Sequence, residues 1–161
     1  MAGSPRYFGF ATSSVDAKNR ITIPAKFRSK LPAGHEGRTF VYVMMGPDFR
    51  HLAVYDLVSG QRRIEELTGD QGIPGELQRK RQQYLALVEE VEVDKQGRVL
   101  LPKEHVEYAK LKGEVVVSGA GDHIQLYDPE EGRHVSAPVS IEKLDPQHVS
   151  AIFDGGAHES A

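Results

Sequence analysis

One motif occurs twice in this chain, and the repetition limits the possible folds more than any other feature. Residues 15–24 read VDAKNRITIP, and residues 93–102 read VDKQGRVLLP. Both fit Val-Asp-x-x-(Asn/Gly)-Arg-apolar-x-apolar-Pro, at a shift of 78 positions (94 minus 16). A second match, residues 51–56 against 123–128, has a shift of 72 (123 minus 51). Because self-similarity of this kind marks a repeated structural unit, the chain consists of two versions of one small fold.

The repeats are too small to be independent domains. The chain has 161 residues, and each repeat holds roughly 45 to 55, a size at which a single hydrophobic core is marginal. We therefore expect the two repeats to share one core. The predicted organisation is a first repeat at 7–60, a helical connector at 61–90, a second repeat at 91–135 and a flexible tail at 136–161.

Composition excludes some classes of site and locates the positive charge. Cysteine is absent, which excludes disulfides and thiolate metal sites. The net charge of −3 gives no overall attraction for nucleic acid. However, residues 16–30 hold five basic residues and one acidic residue, so a basic edge is expected there. No segment resembles a signal peptide or a membrane span, so we expect a soluble cytoplasmic protein.

The repeated motif predicts a tight turn that leads into a strand. Ile21 and Ile23 alternate with a polar residue, the period of a half-buried strand. Asn19 and Gly97 occupy the same place in the two copies, and both residue types tolerate a positive φ. We therefore predict a left-handed turn residue at that place. Such a turn would present the side chain of Arg20 at its tip.

The segments that follow each motif are predicted to be a short helix and a β-hairpin. Pro24 and Pro102 suit helix starts, which predicts helices over 25–31 and 103–111. Later β-rich runs are joined by Gly-containing turns, which predicts two hairpins. Their strands are predicted at 39–45 with 52–56 and at 114–118 with 123–128. In the connector, 57–68 and 74–89 are predicted to be helical.

This order of elements resembles a known fold family. The matching residues are Tyr7-Phe8-Gly9, then Asp16-x-Lys18-x-Arg20-x-x-x-Pro24-Ala25-Lys26-Phe27-Arg28, and Asp94-x-Gln96-Gly97-Arg98-x-Leu100-Leu101-Pro102. They resemble the AbrB/SpoVT swapped-hairpin DNA-binding fold, and two such units in tandem resemble the MraZ family. The sequence departs from the family pattern at Asn19, where Gly is usual, and at Gln125-Leu126-Tyr127, where Glu-Ile-Trp is more frequent.

The resemblance implies both a fold and a function. The fold would be mostly β with short helices, two swapped-hairpin units forming one pseudo-two-fold barrel with linker helices. The function would be sequence-specific transcriptional regulation, mainly repression, through short G-rich direct repeats in promoter DNA of cell-division and cell-wall genes. The implied assembly is a ring-shaped homo-oligomer, expected to be an octamer, associated with the nucleoid. No cofactor and no enzymatic activity are expected.

The motif supplies the candidate DNA contacts. An Arg side chain can read guanine in the major groove, whereas Lys suits phosphate. The resemblance makes Arg20 the leading contact. The alternative for each Asp-Arg pair is that it only holds its turn in place, and the alternative for the helix cations is a solvated helix face. The predicted DNA-binding residues are Arg20, Lys18, Lys26, Arg28, Arg98 and Lys95, and the predicted structural residues are Asp16, Asn19, Asp94 and Gly97.

Other function classes have weaker support. The histidines show no ligand spacing, so no metal site is predicted. Gly119-x-Gly121 lacks the third glycine of a dinucleotide-binding loop, and no hydrolase motif is present. The helix of the second repeat has a lower net positive charge than that of the first, which favours a role in assembly for the second repeat, with the first repeat facing DNA. A protein-binding module of the same fold, such as an antitoxin-like partner, remains the alternative to a DNA-binding regulator.

Overall fold

A computed structural model describes residues 6–47, 50–69, 74–131 and 140–155 of the chain. The strands are β1 (Phe10–Ser14), β2 (Arg20–Thr22), β3 (Thr39–Met45), β4 (Leu52–Asp56), β5 (Glu89–Val93), β6 (Arg98–Leu100), β7 (Glu114–Gly119) and β8 (Ile124–Tyr127). The helices are α1 (Ala25–Arg28), α2 (Leu57–Thr68), α3 (Gly75–Leu85), α4 (Lys103–Tyr108) and α5 (Pro146–Phe153). This content confirms the prediction of a mostly β fold with short helices.

The two repeats exchange strands within one sheet. The eight strands follow the order β1-β7-β8-β4-β3-β5-β6-β2, and the neighbouring pairs are antiparallel. The first strand of each repeat pairs with the hairpin of the other repeat, β1 with β7 and β5 with β3. Each repeat therefore lacks a complete sheet of its own. This is the swapped-hairpin arrangement that the family resemblance implied.

The sheet closes into a nearly complete barrel with pseudo-two-fold symmetry. Corresponding strands meet at two places, β2 against β6 and β4 against β8. In the first of these pairs, Ile21 lies opposite Val99, its equivalent in the other copy. The two ends of the strand order approach each other through a bridge between Val15 and Ile21. Closure of this kind reduces the exposed sheet edges that would otherwise pair with other chains.

The core is common to both repeats, as the small size of each repeat predicted. Ile21 and Phe27 of the first repeat and Val99 and Val106 of the second belong to the same buried cluster. The apolar side chains that alternate with other residues along the motif strands thus point into the barrel. Burying the side chains of both copies together supplies the apolar area that one repeat alone could not.

Helices α2 and α3 cover one side of the barrel. The Asp56 carboxylate accepts a hydrogen bond from the Ser59 amide (2.7 Å) at the start of α2 and another from the Tyr7 hydroxyl (2.6 Å). Burial and the hydrogen bond to Asp56 raise the pKa of Tyr7, so this phenol stays protonated. On α3, the Tyr84 hydroxyl donates to the Met45 carbonyl. These contacts tie the connector to the hairpin of the first repeat.

The predicted strands of the first hairpin are confirmed at both ends, but three helices are shorter than predicted. Helix α3 covers Gly75–Leu85 instead of 74–89, because Glu89 already pairs with Val43 in the sheet. Helix α1 ends at Arg28 because the amides of Lys30 and Leu31 form i to i−3 bonds instead of helical i to i−4 bonds. Leu31 also precedes Pro32, which disfavours a helical conformation. Helix α4 ends at Tyr108 because Lys110 adopts a left-handed conformation with φ of 56°, a common helix terminator.

The expected tail contains regular structure that sequence analysis did not assign. A 3₁₀ turn at Ile141–Lys143 precedes α5, whose first turn is capped by Asp145 through the Gln147 amide (2.9 Å). Residues 132–139 and 156–161 of that region lie outside the described residues. Ile152 and Phe153 are exposed. The tail thus carries an apolar surface on a short helix.

Candidate nucleic-acid interface

Each repeated motif forms a turn held by its aspartate. In the first turn (residues 16–20), Asp16 Oδ1 accepts hydrogen bonds from the Lys18 and Arg20 amides, both at 2.9 Å, and Oδ2 accepts from Arg20 Nε at 2.8 Å. In the second turn (residues 94–98), Asp94 accepts equivalent bonds from the Gln96 and Arg98 amides and from Arg98 Nε. The Asp-Arg pair that would hold each turn in place is therefore present in both copies.

These hydrogen bonds keep both carboxylates charged. The pKa of Asp16 lies below its ordinary value, mainly because the Arg20 amide donates to the carboxylate and then because of the Arg20 side chain. The pKa of Asp94 is lowered in the same way by Arg98. Hydrogen bonds to the ionised form stabilise it. At neutral pH each arginine is thus held by a permanent negative partner.

The turn residues have the backbone conformation that the sequence predicted. Asn19 has φ of 63° and Gly97 has φ of 79°, both in the left-handed region that favours Gly and Asn. Gly97 is buried as well. A Cβ at this position would lie 1.9 Å from Arg28 Nη1. The second turn therefore needs glycine for two reasons, and the first turn needs only a residue that tolerates positive φ.

The fold brings the two motifs side by side, with their turns at opposite ends of the paired strands. The Ile23 amide donates to the Gly97 carbonyl and the Leu101 amide donates to the Asn19 carbonyl, both at 2.8 Å. These symmetric bonds extend the pairing of β2 with β6. Residues separated by 78 positions in the chain thus form one two-stranded ribbon with a turn at each end.

The outer face of this ribbon presents the motif arginines. Ile21 and Val99 point inward, being 2% and 1% exposed, so residues on either side of them point outward. Arg20 lies opposite Leu100, and Thr22 lies opposite Arg98. We call these four residues the ribbon face. Two guanidinium groups on the outer face of one two-stranded β-ribbon form an arrangement that can face the major groove of DNA.

The chain is similar to known regulators along most of its length. The family model described as “MraZ protein, putative antitoxin-like” matches residues 85–143. The Transcriptional regulator MraZ of Anaeromyxobacter dehalogenans (strain 2CP-C) is 32% identical over 122 residues, 76% of this chain and 83% of that protein. Its counterpart in Corynebacterium jeikeium (strain K411) is 33% identical over 131 residues, 81% of this chain and 87% of that protein. The chain belongs to the MraZ family.

The two arginines of this MraZ-family chain differ in how many donors remain available. Arg98 Nη2 donates to the Gln96 side chain at 2.6 Å in addition to the Nε bond. Arg20 makes only the Nε bond to Asp16, and within the described residues its two Nη groups meet no acceptor. The position equivalent to Gln96 is Lys18, which offers no acceptor. Arg20 therefore keeps a complete guanidinium fork for a ligand.

The other predicted basic residues fall into two groups. Lys18 and Lys95 are exposed on the two turns, and Arg28 reaches the second turn, where Nη1 donates to the Gln96 carbonyl at 2.9 Å. Lys26 instead donates to the Phe10 carbonyl at 3.2 Å, at the end of β1 farther from the first turn. The structure therefore joins five of the six predicted contacts in one region and sets Lys26 apart from it.

Two ribbon-face residues were not predicted from the sequence as candidates. Thr22 and Leu100 occupy the unspecified position between the two apolar residues of the motif. A signal for them was present, because strand alternation places that position on the same face as the arginine. Their importance depends on which residues lie opposite them, and that information comes from the pairing of β2 with β6.

Other kinds of site find no support in the described part of the chain. Residues 6–47, 50–69, 74–131 and 140–155 contain no cluster of three or more potential metal ligands. Within the same ranges, no helix is both long enough and apolar enough to cross a membrane. His51 and His123 precede equivalent strands, and the His123 ring stacks on Tyr55 at 4.6 Å between centroids.

Proposed function

We propose that this chain is a sequence-specific DNA-binding transcriptional regulator that acts without catalysis. The observation that carries the proposal is the ribbon face, where Arg20 and Arg98 project from paired strands and are oriented by aspartates. The similar proteins of Anaeromyxobacter and Corynebacterium are named transcriptional regulators. The chemistry of the site and the names of the relatives therefore point to the same function.

Recognition would work through pre-positioned guanidinium groups. The carboxylate of Asp16 fixes Arg20 Nε and leaves both Nη groups to donate to O6 and N7 of one guanine. Because the arginine is already oriented, little side-chain entropy is lost on binding. Lys18 and Lys95 lie on the two turns, and Arg28 reaches the second turn from α1. All three would contact phosphates. Lys26 would add only to the basic character of that edge.

The proposed setting follows the family. The operator would be a set of short G-rich direct repeats in a promoter of cell-division and cell-wall genes, with repression as the outcome. The protein would act in the cytoplasm at the nucleoid as a ring-shaped homo-oligomer, an octamer. A ring would place several ribbon faces on successive repeats, and linkage of this kind raises the effective concentration of each later contact.

The testing experiment is a titration of the purified protein with DNA from upstream of its own gene. A scrambled duplex of equal length and composition is the control, and salt is varied. Specific binding that weakens as salt increases is expected, since each phosphate contact releases counterions. Equal and weak affinity for both duplexes would overturn the proposal. Light scattering, which measures the size of the assembly, tests the proposed octamer separately.

A second candidate function is a protein-interaction module of antitoxin type. Two observations favour it, the antitoxin-like wording of the matching family description and the exposed apolar side chains of Ile152 and Phe153 on α5. The DNA titration separates the two candidates. Loss of promoter binding in that assay, together with a defined complex between this chain and one co-expressed protein, would support the second.

A further inference from the structure

Leu100 is an exposed leucine at the centre of the ribbon face. Its side chain is 57% exposed, although both neighbours in the strand, Val99 and Leu101, are 1% and 2% exposed. Single exposed apolar residues are common on protein surfaces, so exposure alone carries no meaning. The position of Leu100 is informative, because this residue lies directly opposite Arg20 in the pairing of β2 with β6.

The register fixes what this leucine can reach. Side chains directly opposite on one face of an antiparallel pair have Cβ atoms about 4.5–5.5 Å apart. Successive base pairs in B-DNA are separated by about 3.4 Å. A group beside Arg20 on the ribbon face therefore reaches the base pair next to the one that Arg20 contacts. Within the major groove, the apolar group offered by a base pair is the thymine 5-methyl.

We propose that Leu100 contacts the 5-methyl group of a thymine adjacent to the guanine read by Arg20. This inference rests on the proposed function and names a second base in the operator. Burial of the leucine against a methyl group is favourable, and a cytosine there would present a polar amino group instead. Leu100 is thus a specificity residue that acts together with Arg20.

The pseudo-symmetry makes the two halves of the ribbon unequal. The equivalent of Leu100 in the first repeat is Thr22, which lies opposite Arg98. One half of the face combines Leu100 with an arginine whose Nη groups are available, and the other combines Thr22 with an arginine also held by Gln96. The Arg20–Leu100 half would therefore discriminate more strongly between sequences than the Arg98–Thr22 half.

The test removes the methyl group from the DNA and the leucine from the protein. Wild type, Leu100→Ala and Leu77→Ala are titrated with promoter duplex containing thymine and with the same duplex containing deoxyuridine. Leu77 is the matched control, because it is 54% exposed but lies on α3. Loss of one buried methyl contact is expected to weaken wild-type binding about three- to fourfold per ribbon face. The Leu77→Ala variant should behave like wild type.

Leu100→Ala should lose affinity for the thymine duplex and show a smaller difference between the two duplexes. Equal affinity of wild type for both duplexes would overturn the inference. So would a deoxyuridine effect of the same size in wild type and Leu100→Ala, since this would indicate a change in DNA shape. In both cases the protein still binds its promoter specifically. Absence of specific binding to either duplex would instead overturn the proposed function and, with it, this inference.

Discussion

The two turns share one scaffold and differ in the residues around it. In both, an aspartate accepts two amide hydrogen bonds and one from arginine Nε, with distances between 2.8 and 2.9 Å. The first turn has Lys18 and Asn19 where the second has Gln96 and Gly97. The comparison shows that the repeated motif specifies the turn, whereas the variable positions determine how many donor groups of its arginine remain available.

The second turn is also packed more closely than the first. Arg28 lies over Gly97 and bonds to the Gln96 carbonyl, and Gln96 holds Arg98. The residue equivalent to Arg28 in the second repeat is Val106, which lies in the core. The first turn therefore has no corresponding arginine over it. The sequence-based expectation that the first repeat faces DNA and the second supports the assembly stays a prediction, since the ribbon face takes residues from both repeats.

The largest expected difference between the turns is in DNA affinity. We expect Arg20→Ala to weaken promoter binding by more than about 100-fold, because a bidentate guanine contact is lost in each linked subunit. Arg98→Ala should weaken it by about tenfold, since Gln96 already occupies part of that guanidinium. Fluorescence anisotropy gives both values.

Arg79→Ala, an exposed arginine on α3, is the matched control for these variants. Size measurements should show the same assembly for all of them. Disassembly of Arg20→Ala would indicate that the arginine is a structural residue. Equal losses of affinity for Arg20→Ala and Arg98→Ala with an intact assembly would contradict the proposed difference between the two turns.

The next largest effect concerns the turn backbone. Gly97→Ala should lower the free energy of unfolding by about 1–2 kcal/mol, because φ of 79° is unfavourable for any residue with a Cβ. Arg28 must also move away from the new methyl group. Asn19→Gly should leave stability nearly unchanged. Thermal or urea unfolding measures the effect of each substitution. Similar destabilisation by Gly97→Ala and Asn19→Gly would show that the two turns do not differ in their need for glycine.

A smaller effect is expected from making the second turn resemble the first. Gln96→Lys removes the acceptor for Arg98 Nη2 and adds a cation, so we expect tighter promoter binding and a steeper salt dependence, by about one phosphate contact per subunit. The control is Gln125→Lys on β8, which adds the same charge elsewhere. If Gln96→Lys binds no better than its control, the proposed restraint of Arg98 is wrong.

The smallest effect is a pH dependence of stability common to both turns. The pKa values of Asp16 and Asp94 are lowered in the folded protein. A lowered carboxyl pKa gives stability that is fully present above the ordinary value of 3.8 and is lost as pH falls through the folded pKa. Asp16→Asn and Asp94→Asn should therefore unfold at lower temperature than wild type at pH 7. This difference in unfolding temperature should disappear in strong acid, where the carboxylates are protonated. A difference that persists there would exclude charge as its cause.

Much of the local structure could be predicted from the sequence because it depends on neighbouring residues. The left-handed conformation at Asn19 and Gly97 follows from residue type. The first hairpin follows from two β-rich runs around a turn. The helix ends were predicted less well, because Leu31 and Lys110 end their helices through backbone preferences that the apolar pattern does not show.

The candidate site could be predicted only in part. The motif identified Arg20 and Arg98, and strand alternation would have placed Thr22 and Leu100 on the same face. The partner of Arg28 could not be predicted, because its acceptor, Gln96, is 68 positions away. Lys26 was grouped with the DNA contacts on charge alone, and its bond to the Phe10 carbonyl depends on how α1 packs beside β1.

The sequence by itself determined that there are two equivalent units, that each has an Asp-Arg turn and that their cores are too small to be separate. Those properties are set by local backbone preference, hydrogen bonding over four residues and the count of apolar side chains. Only the tertiary structure decided that β2 pairs with β6 and that Leu100 stands opposite Arg20. Pairing between strands far apart in the chain depends on packing of the whole barrel, and no local pattern encodes it.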